Sequence, residues 1–166
     1  MLKFRLYDKE LDIDLDEWSK KEYSDYHNDV HKFALFNDTI SQIYNSYIEN
    51  PDQMDSICDK VIVVEEDSLK VAVIVVNYFI DELENKKVLS INPILVNPKF
   101  INKGYGKRII KYLIDVKGRI FDMLPDKMYA GIDIDNIRCK HLFESLGFRL
   151  VGATDEKDFL YYELEL

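Results

Sequence analysis

Three β-branched runs do most to constrain what this chain can fold into. Residues 61–67 (VIVVEED), 70–81 (KVAVIVVNYFID) and 87–96 (KVLSINPILV) are separated only by short polar turns. Val and Ile are stiff at χ1 and suit an extended, half-buried backbone. A parallel pair needs a crossover of about a dozen residues, which these turns cannot supply, so the spacing predicts an antiparallel meander. Alternation predicts further strands at 2–7, 128–134, 148–153 and 159–165. Between Trp18 and Tyr47 the chain is polar but aromatic. Phe33, Phe36, Ile40, Ile43 and Tyr47 recur at helical spacing, which predicts one or two amphipathic helices ending before Pro51. Another helix is expected over 137–146, and one more after residue 104, with Ile109, Leu113, Val116 and Ile120 as its apolar stripe. The expected order, β-α-α-β-β-β-α-β-α-β-β, is that of a mixed sheet with helices packed on it. No Gly-, Ser- or Pro-rich linker and no repeat divides the chain, so a single domain over 1–166 is expected.

Charge narrows the function. Lys and Arg total 22 against 31 Asp and Glu, a net charge of -9, which argues against a nucleic-acid surface. No apolar run approaches the ~20 residues of a membrane span, and apolar residues near the start alternate with charges, unlike a secretory signal. A cytoplasmic protein is expected. The two cysteines, Cys58 and Cys139, form no CxxC and read as small buried hydrophobes.

Against that acidic background stands one basic segment. Residues 99–120 hold seven cations (Lys99, Lys103, Lys107, Arg108, Lys111, Lys117, Arg119) and one acid, Asp115; that is +6, leaving -15 for the rest. The segment follows a strand and opens a helix, and Gly104 and Gly106 stand two apart within it. Glycine reaches backbone conformations closed to other residues, so amides can converge at the positive end of the helix dipole. Such a turn is suited to a phosphate. Two nucleotide-binding patterns fail: Ile109 replaces the third glycine of GxGxxG, and no second glycine completes GxxxxGK[ST].

Downstream lies Asp135-Asn136-Ile-Arg138-Cys139-Lys-His-Leu142-Phe143-Glu144-Ser-Leu146-Gly147-Phe148. Together with VNPKFINKGYGKRI (96–109), this resembles the GNAT superfamily of acyl-CoA-dependent N-acyltransferases. That family's pattern is a strand ending in V-x-P, a loop R/Q-x-x-G-x-G/A, a further strand, then N-x-x-A/S-x-x-L-Y-x-x-x-G-F. The resemblance covers residues 60–166 and, by element order, the whole chain. It implies an α+β fold: a central, mostly antiparallel mixed sheet of about seven strands, splayed in the middle, with helices on both faces. It also implies acetyl-CoA as co-substrate. Backbone groups of Ile94, Leu95 and Val96 would hold the pantetheine arm, and amides of Asn102, Lys103, Gly104, Tyr105, Gly106 and Lys107 the diphosphate. Asn136 would bond to the pantetheine, and Phe143 would sit near the thioester. Pro93 independently points to a bulge, since proline removes a ladder bond from a central strand.

Two positions depart from the family's pattern. Ile101 stands where Arg or Gln is usual, so phosphate binding falls to backbone N–H groups with Lys103, Lys107 and Arg108 adding charge. Phe143 stands where the family often has a Tyr that serves as general acid. Either another hydroxyl protonates the leaving thiolate, with Tyr161, Tyr162 and Tyr105 as candidates, or the thiolate leaves unassisted. The strand before V-x-P carries no acid, and Asp133 and Asp135 are the carboxylates closest in sequence to the expected site. Nine carboxylates within 8–29 are expected to draw a cationic acceptor, a small-molecule or peptide amine. The resemblance also makes a homodimer an expectation. The alternative function is a CoA-binding module of the same fold with weakened catalysis. No metal is expected. His27 and His31 lack the glutamate of HExxH, and Asp12-Ile-Asp14-Leu-Asp16 lacks the glycine and closing Glu of a calcium loop.

Overall fold

The computed structural model describes residues 1–19, 39–49, 58–116, 124–156 and 158–166. Seven strands form one sheet: β1 (Lys3–Leu6), β2 (Cys58–Glu66), β3 (Leu69–Asp81), β4 (Lys86–Val96), β5 (Lys127–Asp133), β6 (Arg149–Ala153) and β7 (Phe159–Glu165). Among the described residues three α-helices accompany them: α1 (Ile40–Glu49), α2 (Tyr105–Asp115) and α3 (Ile137–Ser145), with 3-10 turns at Ile13–Ser19 and Pro98–Phe100. The strand order is β1-β2-β3-β4-β5-β7-β6. The expected meander is present: β2, β3 and β4 pair antiparallel, and among the described strands only β4 with β5 is parallel. Asp67 and Ser68 join β2 to β3 with φ of 51° and 65°, the left-handed pair that a two-residue hairpin turn demands.

Both faces of the central strands are covered, which is why their sequences run apolar without alternation. On one face Ile62, Ile74, Leu89, Ile91, Met128 and Ala130 pack with Ile109, Ile110 and Leu113 of α2 and Phe143 of α3. On the other, Val61, Val63, Val73, Val75 and Leu95 pack with Leu15, Trp18 and Ile40. Helix α2 is shorter than its stripe predicts. It ends at Asp115 with Val116 as its cap, and Ile120 lies outside the described residues. So do His27, His31, Phe33 and Phe36, while α1 realises the last part of the expected aromatic helix.

Two buried charges organise the periphery. Asp12 is 0% exposed and receives both Arg5 Nη atoms, at 2.6 and 2.7 Å, the Asp8 N–H at 2.8 Å, and Lys70 Nζ at 2.9 Å. Burial alone would raise its pKa, but these donors outweigh burial and hold it at about 2. Lys70 also binds Asp14, and Asp16 accepts the Ser41 N–H at the start of α1. The acids of this stretch were expected to face a cationic acceptor. Asp12, Asp14 and Asp16 pin the 3-10 turn and α1 to the sheet, and Glu22, Asp25 and Asp29 lie outside the described residues. At the opposite end of β3, Lys127 is 1% exposed and meets Asp81, Glu84 and Glu163 at 2.9, 3.3 and 3.1 Å. Burial lowers its pKa, and the three carboxylates more than reverse that.

Candidate active site

The parallel strands β4 and β5 share only four residue pairs, from Val88 with Lys127 to Ile91 with Ala130. β4 continues to Val96 and β5 to Asp133, with no further pair between them among the described residues. The divergence has a local cause. Against β3, Ile91 pairs with Val76 and Ile94 with Ile74, so Asn92 and Pro93 stand opposite Val75 alone. This is the bulge expected at Pro93, and it begins where the β4–β5 ladder stops. Each diverging strand is followed by a helix on the same face of the sheet, α2 after β4 and α3 after β5. The opening thus lies between the carboxyl-terminal halves of the two parallel strands, and both helices start at its end.

The link from β4 to α2 is tightly built. Asn97 Oδ1 accepts the Lys99 N–H at 3.0 Å, and its Nδ2 donates to the Lys70 carbonyl at 2.9 Å. Asn102 (φ 61°) and Gly104 (φ 78°) then turn the chain through left-handed backbone into α2. The N–H groups of Tyr105, Gly106 and Lys107 donate to no acceptor among the described residues, leaving three orphan donors at the positive end of the helix. Charge is distributed less simply than the sequence implies. Glu66 accepts from the Tyr105 hydroxyl at 2.8 Å and from Arg108 Nη1 at 3.0 Å, and Arg108 with Tyr105 holds it at about 2. Arg108, expected to lend its charge to the phosphate, is thus spent on Glu66. Lys103 Nζ lies 5.0 Å from the Phe100 ring centroid, and Lys107 is exposed.

The second motif meets the first. Asn136 caps α3, its Oδ1 accepting the Cys139 N–H at 3.1 Å, and its Nδ2 has no acceptor among the described residues. Arg138 Nη1 donates to Asn102 Oδ1 at 3.3 Å, tying the start of α3 to the glycine turn. Phe143 is 4% exposed and packs edge-on to Phe148 at 4.8 Å. Cys139 is free, with its thiol pushed up to about 11 by burial.

Residues 6–148 match the Acetyltransferase (GNAT) family. The chain belongs to that family. Among solved structures it resembles spermidine N-acetyltransferase from Vibrio cholerae in complex with CoA and spermine, with a TM-score of 0.70, 14% identity, and 99% of this chain and 95% of that chain covered. It also resembles a Bacillus subtilis acetyltransferase in complex with CoA (TM-score 0.63, 15% identity, 100% and 99% covered). The IAA acetyltransferase from Bacillus cereus is a further match (TM-score 0.61, 16% identity, both chains covered in full). No curated protein sequence matches the chain. At these identities the structural likeness speaks for the GNAT fold.

Within this GNAT domain the candidate catalytic side chains are separated. Tyr162 is 2% exposed on the α3 face, and its hydroxyl donates to Glu144 Oε1 at 3.1 Å. Tyr161, its neighbour on β7, points to the opposite face, with its ring 5.4 Å from that of Tyr129. The Tyr105 hydroxyl is bound to Glu66. Asp133 and Asp135, the carboxylates closest in sequence to the expected site, do not share a strand. β5 ends at Asp133, whose Oδ1 accepts the Asp135 N–H at 2.8 Å, so Asp135 lies in the turn before α3. Sequence reasoning missed Glu66, Arg138 and Tyr129. Alternation places Tyr129 on the face of Tyr161 once β7 is known to pair with β5, but nothing in the sequence gives that pairing.

Proposed function

We propose that the protein transfers an acetyl group from acetyl-CoA to a cationic primary amine of a small molecule or peptide, by direct attack of the amine on the thioester. The observation that carries this reading is the β4–β5 divergence at Ile91 and Ala130, with the unpartnered N–H groups of Tyr105, Gly106 and Lys107 at the start of the helix that follows β4. A strand-sized gap beside an anion cradle suits a ligand with a diphosphate head and an extended amide-bearing arm. Amides of the 102–107 turn, with Lys103 and Lys107, bind the diphosphate. Backbone groups of Ile94, Leu95 and Val96 and the Asn136 side-chain amide hold the arm.

A bound acetyl thioester supplies an activated acyl group and a leaving thiol whose ordinary pKa, near about 8.5, needs no proton from the protein. That accords with Phe143 in the place of a tyrosine and with the Tyr105 and Tyr162 hydroxyls bound to Glu66 and Glu144. The acceptor ammonium sheds its proton to water, since β4 bears no acid between Val88 and Val96. Positioning then supplies most of the rate. A cationic acceptor is favoured by the overall charge of -9 and by the spermine held by the Vibrio cholerae relative. Calorimetric titration with acetyl-CoA, followed by free-thiol release with a panel of primary amines, tests the reading. Saturable heat with thiol release supports it. Heat without release from any amine favours the weakened CoA-binding module, and no heat at millimolar ligand contradicts both.

A further inference from the structure

Resting on that acyl-transfer reading, we propose that Tyr129 of β5 and Tyr161 of β7 form the shelf that receives the acceptor, and that their ring faces select a cationic amine. Register puts the two side chains on one face. Tyr129 pairs with Glu163 and Gly131 with Tyr161, while the alternate residues Met128, Ala130, Ile132 and Tyr162 face α2 and α3. The rings therefore lie on the side of the sheet away from those helices. Tyr129 stands opposite Ser90, one pair before the β4–β5 ladder ends, and Gly131 is the first β5 residue beyond it. An amine resting on these rings is beside the opening.

The pair is not core packing. Neither ring belongs to either apolar cluster, although Phe143, Tyr78 and Tyr162 do. Both residues are only half-buried. Neither hydroxyl has a hydrogen-bond partner among the described residues, whereas a phenol placed for structure finds one, as Tyr162 does with Glu144. The strands on both sides of Tyr161 offer glycine at its level. A Cβ on Gly131 would meet its ring at 3.8 Å, and one on Gly152 at 3.7 Å. With hydrogen in both places, neither flanking position puts a side chain over the Tyr161 ring. Asp133 alternates onto the same face two residues beyond Gly131, adding negative charge. Tyrosine faces beside a carboxylate attract an alkylammonium and offer a neutral acceptor much less.

The test uses steady-state kinetics of the full chain with a panel of primary amines, spermidine among them, and Leu and Phe variants at both positions. The Y129L/Y161L double variant keeps apolar bulk but loses the π faces. Its KM for the amine should rise about tenfold, with kcat changed far less and acetyl-CoA affinity by calorimetry unchanged. Y129F and Y161F should keep the unmodified KM. An unchanged KM in the Leu variants overturns the shelf, as does an equal loss in the Phe variants, which would assign recognition to the hydroxyls. Loss of acetyl-CoA affinity in parallel would assign the rings a structural role and overturn it too. Transfer to no amine by the unmodified protein would overturn the acyl-transfer reading and the shelf together, whereas transfer with indifferent variants overturns the shelf alone.

Discussion

Gly106 and Leu142 meet where α2 lies against α3: a Cβ on the glycine would stand 3.4 Å from Leu142 Cδ2, an ordinary contact. Gly104 has nothing within 4 Å of the same position, but its φ is 78°. The two glycines therefore do different things. Gly104 supplies a left-handed turn, and Gly106 supplies close helix approach with room for one methyl. Gly104→Ala is expected to cost about 1 kcal/mol and to weaken acetyl-CoA binding by distorting the turn. Gly106→Ala should stay within about 0.5 kcal/mol of the unmodified protein. Thermal melts and calorimetry of both variants check this, and equal losses would show that the difference in backbone conformation is immaterial.

Tyr162 and Glu144 bear on catalysis by being occupied with each other. Tyr162→Phe should lower stability by about 1 kcal/mol and leave kcat within about twofold, because a partly buried hydrogen bond is lost and no proton donor is. With the amine losing its proton to water, kcat/KM should climb with pH toward the acceptor's own pKa. A plateau near neutrality, or a large kcat loss in Tyr162→Phe, would reveal a protein acid or base that this mechanism lacks.

Asp12 ties stability to pH. Its pKa in the fold, about 2, lies below its unfolded value. The stabilisation is therefore present above about pH 4 and is lost as pH falls toward 2. Asp12→Asn should destabilise at pH 7 by about 2–3 kcal/mol, since it removes one partner from Arg5 and Lys70, and by less at pH 3. Denaturant unfolding at the two pH values measures the difference, and an equal loss at both would contradict the ion-pair account.

Lys127 makes a parallel case at the other end of the sheet. Lys127→Met should cost about 2–3 kcal/mol by leaving Asp81, Glu84 and Glu163 without their shared cation. Acidification should recover part of that loss as the carboxylates are neutralised. Urea unfolding against pH reads it, and a variant as stable as the unmodified chain would show that the cluster contributes nothing net.

These residues mark the boundary of what the sequence discloses. The meander was legible because Val and Ile dominate 61–64, 71–76 and 88–96 and the turns are short. The bulge was legible from Pro93, because proline cannot serve a central ladder. The turn that opens α2 was legible from its two glycines. The partners of charged residues were not. Arg5 finds Glu65 across paired strands, Lys70 finds Asp14 of the 3-10 turn, and Arg108 of α2 finds Glu66 of β2, each pair brought together by the fold rather than by sequence proximity. The counting of free cations therefore failed at Arg108. The insertion of β7 between β5 and β6 was hidden for the same reason, and with it the meeting of Tyr129 and Tyr161.

The most direct test of the central claim is an amide-resolved NMR titration of the full chain with CoA. The N–H resonances of Tyr105, Gly106 and Lys107 and those of Ile94 to Val96 are predicted to shift together and saturate, while those of β1 and β2 stay in place. Saturable binding that leaves the 104–107 amides unmoved, or no binding at millimolar CoA, would contradict the claim that this turn and the gap beside it hold the acyl carrier.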